Sequence, residues 1–157
     1  MEGELMEVLT GQELVSDAAI RLRAAISQDI IKKIYKDPVN QNFTRPCIMI
    51  HSVEHDSTPQ MRDYALWDFT LDFRCHPPKE VTAIHTWARQ MAVMVMDAVK
   101  ILTVSGQQVR ASKIETHTID DVLHVICRYK FRVRQTPTEV PLMETLTYGE
   151  KIKSQKG

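Results

Sequence analysis

The sequence predicts an α+β fold, a mainly antiparallel sheet of four to five strands with two helices on one face, in the order α-β-β-β-α-β-β. Three observations carry this. Two segments repeat apolar residues at three-and-four spacing, the period of an amphipathic helix. Two long runs, "YALWDFTLDFRC" (64–75) and "VLHVICRYKFRVR" (122–134), alternate apolar and polar residues, the period of a half-buried strand. The last two strand-like runs are separated only by "IDD", which suits a hairpin turn.

Taken in order, residues 1–9 read as a flexible acidic lead, and a single domain is expected over 10–134. Thr10 and Glu13 have capping-box spacing, and Leu14, Ala18, Leu22, Ala25 and Ile26 continue at helical spacing, so the first helix is predicted over 10–28. "IIKKIYKD" (30–37) follows as a short strand stopped by Asp37-Pro38, and 37–46 as a turn-rich connection. "CIMIHSVEH" (47–55) is dense in apolar and β-branched residues, a strand leading to a polar loop over 56–63. The third strand is predicted over 62–76 and ends against His76-Pro77-Pro78, because two prolines cannot extend a central ladder. Val81, Ile84, Ala88, Met91, Val95, Ala98 and Leu102 form the stripe of the second helix, a core-facing set rather than a cofactor box, with Gly106 ending the segment. Runs over 109–118 and 122–134 close the domain, and 135–157, punctuated by Pro137 and Pro141, reads as an extended or flexible tail.

Composition narrows the function classes. A chain of 157 residues is ordinary single-domain size. At that length about 68–70% of the unfolded surface is buried, so no disulfide or metal staple is needed. Lys plus Arg (20) equals Asp plus Glu (20), which lacks the basic excess of a dedicated nucleic-acid binder and leaves little net charge to keep copies apart. Cys47, Cys75 and Cys127 sit singly in apolar runs with no Cys-x-x-Cys, the pattern of buried free thiols in a reducing compartment. The N-terminus lacks the layout of a signal peptide, and the most apolar window, 91–102, is broken by Asp97 and Lys100, so no membrane association is expected.

No catalytic, cofactor-binding or metal-holding set is read from the residues. There is no glycine-rich phosphate loop and no nucleophile elbow. His51 and His55 lie four apart in a strand, as do Asp68 and Asp72, and that step spans about 13 Å, too far for shared ligation or a paired acid and base. His85 reads as a packed helix histidine, His117 and His124 as hairpin residues able to approach across strands, and Trp67 and Trp87 as core or interface aromatics.

The charged strand faces are the candidate site. Arg128, Lys130, Arg132 and Arg134 form a basic row at every second position, and Asp68 and Asp72 a sparser acidic one. The rows can pair within one subunit, be solvated, or meet opposite charges on a neighbour. Leu66 and Ile126, aliphatics on the same faces, favour a partly buried contact.

From Tyr35 through His51, with Phe43, Arg45 and Pro46 leading into a buried strand, then the proline-ended strand and the "RYKFRV" hairpin arm, the chain resembles the tail terminator proteins of tailed bacteriophages and phage-tail-like bacteriocins. The resemblance covers roughly residues 12–134. It implies a non-enzymatic assembly role in the virion tail, built in the host bacterial cytoplasm. Such a subunit forms a homo-oligomeric ring, typically a hexamer, on the last ring of tail-tube protein. The ring stops tube growth and offers a surface to the head connector, a collar or sheath, with DNA at most passing through its lumen. Arg45, Asp68, Asp72, Arg128, Lys130, Arg132 and Arg134 are the candidate interface residues, joined by the 55–63 loop. The rival readings are a neck adaptor of the virion and, from another class, a small-molecule-binding regulatory domain.

Overall fold

Residues 2–134 are described by the computed structural model of the chain, their side chains from residue 11 onward. The first helix, α1, spans Glu2–Ala25. It starts well before the predicted cap, so Thr10 lies inside it; the residues ahead of Thr10 include no proline and are mostly good helix formers, which lets the helix propagate. Leu14, Ala18, Leu22 and, just past the helix, Ile26 are buried along one stripe.

The strands are β1 (Lys33–Tyr35), β2 (Cys47–Pro59), β3 (Tyr64–His76), β4 (Ile101–Val104), β5 (Gln107–Ile119) and β6 (Val122–Arg134), with the second helix, α2 (Ile84–Val99), between β3 and β4. They form one sheet in the order β1-β2-β3-β6-β5-β4. Only β1 and β2 run parallel; the other neighbours are antiparallel. The predicted class and order hold, with six strands in place of four to five.

The extra strand is β4. The apolar stripe of α2 reads on through Leu102, but the helix stops at Val99 and Leu102 is buried from a strand instead. A buried residue at that position satisfies both periods, so burial pattern alone does not separate them. Tertiary bonds do. Asp17 of α1 accepts the backbone N–H of Thr103 at 2.8 Å and the Arg21 guanidinium at 2.7 Å, while Arg21 also donates to the Thr103 hydroxyl at 2.9 Å.

Two-residue turns close both late hairpins. Ser105 (φ 50°) and Gly106 (φ 79°) join β4 to β5, and Asp120 (φ 50°) and Asp121 (φ 63°) join β5 to β6. Paired positive φ values match the twist of the flanking strands, and Gly106 takes its value without a Cβ penalty. The polar segment expected as a loop over 56–63 is largely strand: β2 continues to Pro59 and only 60–63 turn, held by Gln60 N–H donating to the Tyr64 carbonyl at 2.7 Å. Its lack of apolar residues reflects an exposed strand, not a missing one. β1 is shorter than the expected 30–37, being paired only alongside Cys47–Met49.

Both helices cover the face carrying Trp67, Leu71, Phe73, Val125, Cys127 and Tyr129, and all six are buried. The three cysteines are buried and unbridged, and burial pushes the Cys47 thiol up to about 11 and the Cys127 thiol up to about 12. Tyr129 ties the two layers together by donating its hydroxyl to the Val99 carbonyl, at the end of α2, at 2.7 Å. That carbonyl has no intrahelical partner of its own. Tyr129→Phe is therefore expected to lower unfolding free energy by about 1–3 kcal/mol, read by urea denaturation. An unchanged midpoint would show that the bond contributes nothing net.

Candidate assembly surface

Among the described residues, no helix lies over the opposite face of the sheet. The register sets its rows. Asp68 stands opposite Asp56 on one side and Lys130 on the other; Asp72 stands opposite His51 and Ile126; Arg74 stands opposite Met49 and His124. The alternation read from the sequence thus delivers Asp68, Asp72, Arg128, Lys130, Arg132 and Arg134 to one face, with Leu66 and Ile126 half-buried among them.

Part of this charge is spent inside the subunit. Arg128 donates to Asp68 at 3.2 Å, and with Arg128 41% exposed the pair contributes roughly 0.2–1 kcal/mol. Arg132 donates to Gln60 at 3.2 Å and lies over the Tyr64 ring. Lys130 and Arg134 are exposed and have no ion-pair partner among the described residues. Arg45, placed with this set by the sequence, lies elsewhere in role: it donates to the Pro77 carbonyl at 2.9 Å and pins the 36–46 connection to the end of β3, where the Phe43 ring lies tilted against His76.

Asp72 is the deep member. It is 4% exposed, its Oδ2 accepts from Arg74 Nε at 3.0 Å and meets His124 Nδ1 at 2.9 Å, and its Oδ1 is buried without a partner. Sequence reasoning placed Asp72 on an open face and missed this centre; the signal was the run of histidines that the register gathers there. His51 and His76 both titrate below the ordinary imidazole range, chiefly because burial disfavours the charged ring, with Arg74 and Arg45 respectively the next causes. His117 lies opposite His124 as anticipated, but bonds Glu115 at 3.3 Å.

Other expectations move. A bulge between Ser52 and Glu54 turns His55 to the helix side, where its ring stacks on Phe69 at 4.1 Å, so His51 and His55 occupy opposite faces. His85 is exposed rather than packed, and Trp67 is fully buried while Trp87 is half-buried. Among the described residues no cluster of three His, Cys, Asp or Glu side chains is placed to hold a metal ion, and no helix is long and apolar enough to cross a membrane.

Fold and face together define a small α+β subunit, with helices on one side of its sheet and, on the other, charged side chains that run from buried Asp72 to exposed Lys130, Arg132 and Arg134. The chain belongs to the phage tail terminator family: the family model described as phage tail terminator protein matches residues 17–141. That family is a structural one, and membership makes the chain a phage tail component. A comparison with curated proteins returned no match.

The lowered imidazoles give a pH dependence with a definite sign. The unfolded chain binds more protons than the folded one between the lowered pKa values and about 6.5, so their contribution is present above that window and lost as pH falls through it. The melting temperature is expected to fall between about pH 7 and about pH 5, and to fall less in His51→Gln with His76→Gln. Equal falls in both proteins would remove these histidines as the cause.

Proposed function

We propose that copies of this chain form a closed ring, a hexamer by resemblance, seated on the last ring of tail-tube protein. The ring ends tube polymerisation and presents a surface to the head connector or collar. The family match over residues 17–141 is the observation that carries this reading. The bare charged face supports it, because a subunit in a ring needs one side for its own core and others for its neighbours, and a heterologous contact that closes does so at a fixed rotation.

Within this reading the residues of the face divide by role. Lys130, Arg132 and Arg134, exposed at the end of β6, meet the tube or a neighbour. Asp68 and Arg128 hold each other and keep the face in register. Asp72 holds His124 and Arg74, and Arg45 holds the connection beside them. Assembly takes place in the host cytoplasm and the finished ring sits at the head end of the tail.

Mass measurement in solution, then electron microscopy with tube protein, tests the reading. Ring-sized particles at tube ends are expected. Capture by portal-ring protein with tube ends left bare overturns it in favour of a neck adaptor. Lys130→Glu with Arg134→Glu is expected to leave the monomer folded, since both side chains are exposed, and to weaken tube capping by about tenfold, equivalent to about 1.4 kcal/mol. Unchanged capping would take these residues out of the contact.

A further inference from the structure

β2 and β5 each leave a long edge open, on opposite sides of the same sheet. β1 accompanies β2 only along Cys47–Met49, and among the described residues no other strand lies on the outer side of Ile50–Pro59. β4 accompanies β5 only along Gln107–Arg110, and Ala111 N–H is taken by the Lys100 carbonyl at 2.8 Å, so Ser112–Ile119 is likewise open. Ser52–Pro59 is exposed throughout, as are Lys113 and Thr116–Ile119. Proteins that stay single blunt such edges with lysine, proline or a covering element. β2 carries no lysine and no proline before Pro59, while β5 carries Lys113 and each edge holds one bulge.

We infer that these two edges are the subunit–subunit contact: the β2 edge of one copy pairs antiparallel with the β5 edge of the next. The inference rests on the ring reading and supplies its interface. Polarity favours it. β2, β3, β6 and β5 alternate in direction, so β2 and β5 run oppositely, and a neighbour related by rotation about an axis along the strands continues the alternation. Each copy uses one edge of each kind, and every such β2–β5 seam is made when the ring closes.

Space and charge favour it too. An open groove of about 690 Å³ lies on the helix side of β2, between Ile50 and Ser52 and the Gly11 and Val15 positions of α1, with Lys36, Asp37 and Pro38 as its third wall. A smaller one of about 140 Å³ runs beside the β5 edge, between Thr116 and Thr118 and the His85 and Arg89 positions of α2. Each helix therefore stands off the edge beside it by an open groove. Glu54 and Lys113 both lie on the helix-free side, opposite Thr70 and Arg128 respectively. Setting Glu54 against Lys113 brings His51 against Glu115, once the bulge residue Val53 is allowed for, and faces stay matched across the seam. Joined in this way the sheets of neighbouring copies form one continuous wall.

Amide hydrogen exchange, followed by mass spectrometry on dilute single subunits and on assembled rings, tests the pairing. Exchange is expected to slow by about tenfold or more over both 50–56 and 112–116 on assembly, the stretches that this register sets side by side clear of β1 and β4. Glu54→Lys and Lys113→Glu are each expected to lower the ring fraction by about tenfold, and the double variant to restore it. Rings whose edges exchange as fast as in the free subunit overturn the pairing while leaving the ring reading intact. Protection at 50–56 alone overturns it in favour of another strand at that edge. A double variant no better than either single overturns the proposed register. A chain that stays single in solution and on tube ends overturns the ring reading itself.

Discussion

Everything in this molecule is arranged around the antiparallel pairing of β3 with β6, from Tyr64 opposite Arg134 to Cys75 opposite Leu123. The pairing lines up two strands that each alternate dry and wet positions, so one register sets both faces of the sheet at once. A slip of one residue would turn Trp67, Phe69, Leu71 and Phe73 out to water. At about 1.5–3 kcal/mol for each large apolar side chain, that costs roughly 6–12 kcal/mol. A whole domain is stable by only about 5–15 kcal/mol, so the register admits no close competitor. β2 and β5 then add to the outer sides of this pair, and the helices to its dry face.

The wet face inherits its order from the same register. Because dry positions are spoken for, charged residues of β3 and β6 are forced onto one surface and into fixed neighbours. Asp68 finds Arg128 there, and Asp72 finds Arg74 and His124. Removal of Asp72 from water is costly unless its oxygens are satisfied, and the structure satisfies only one of them, leaving Oδ1 without a partner. A surface built this way is stiff around Asp72 and adaptable towards Lys130 and Arg134, where side chains remain exposed. Stiffness at one end and adaptable charge at the other suit a subunit that must keep its shape while docking.

The two sheet sides also differ in how they are finished. β1 and β4 are too short to cover the strands beside them, and β2 and β5 run on past them with no other strand among the described residues on their outer sides. Antiparallel strands tolerate one wet face, but an open backbone edge keeps its unpaired donors and acceptors only because water solvates them. A tail terminator subunit with such edges has a core complete on its own and a sheet that is not.

By itself the sequence determined the fold class, the order of elements, the dry and wet sides of β3 and β6, and the late hairpin, because each depends on local period or on turn chemistry within a few residues. It also determined which charges would share a face. What it left open was settled by contacts distant in the chain. β4 exists because Asp17 and Arg21 reach Thr103, a bond between residues far apart in sequence that no window of periodicity contains. The strand character of 56–59 comes from pairing with Ala65–Asp68 and not from its own polar residues. A one-residue bulge sent His51 and His55 to opposite faces, and the burial of Asp72 came from neighbours on three strands. Periodicity says which way a side chain points; only the assembled sheet says what it meets.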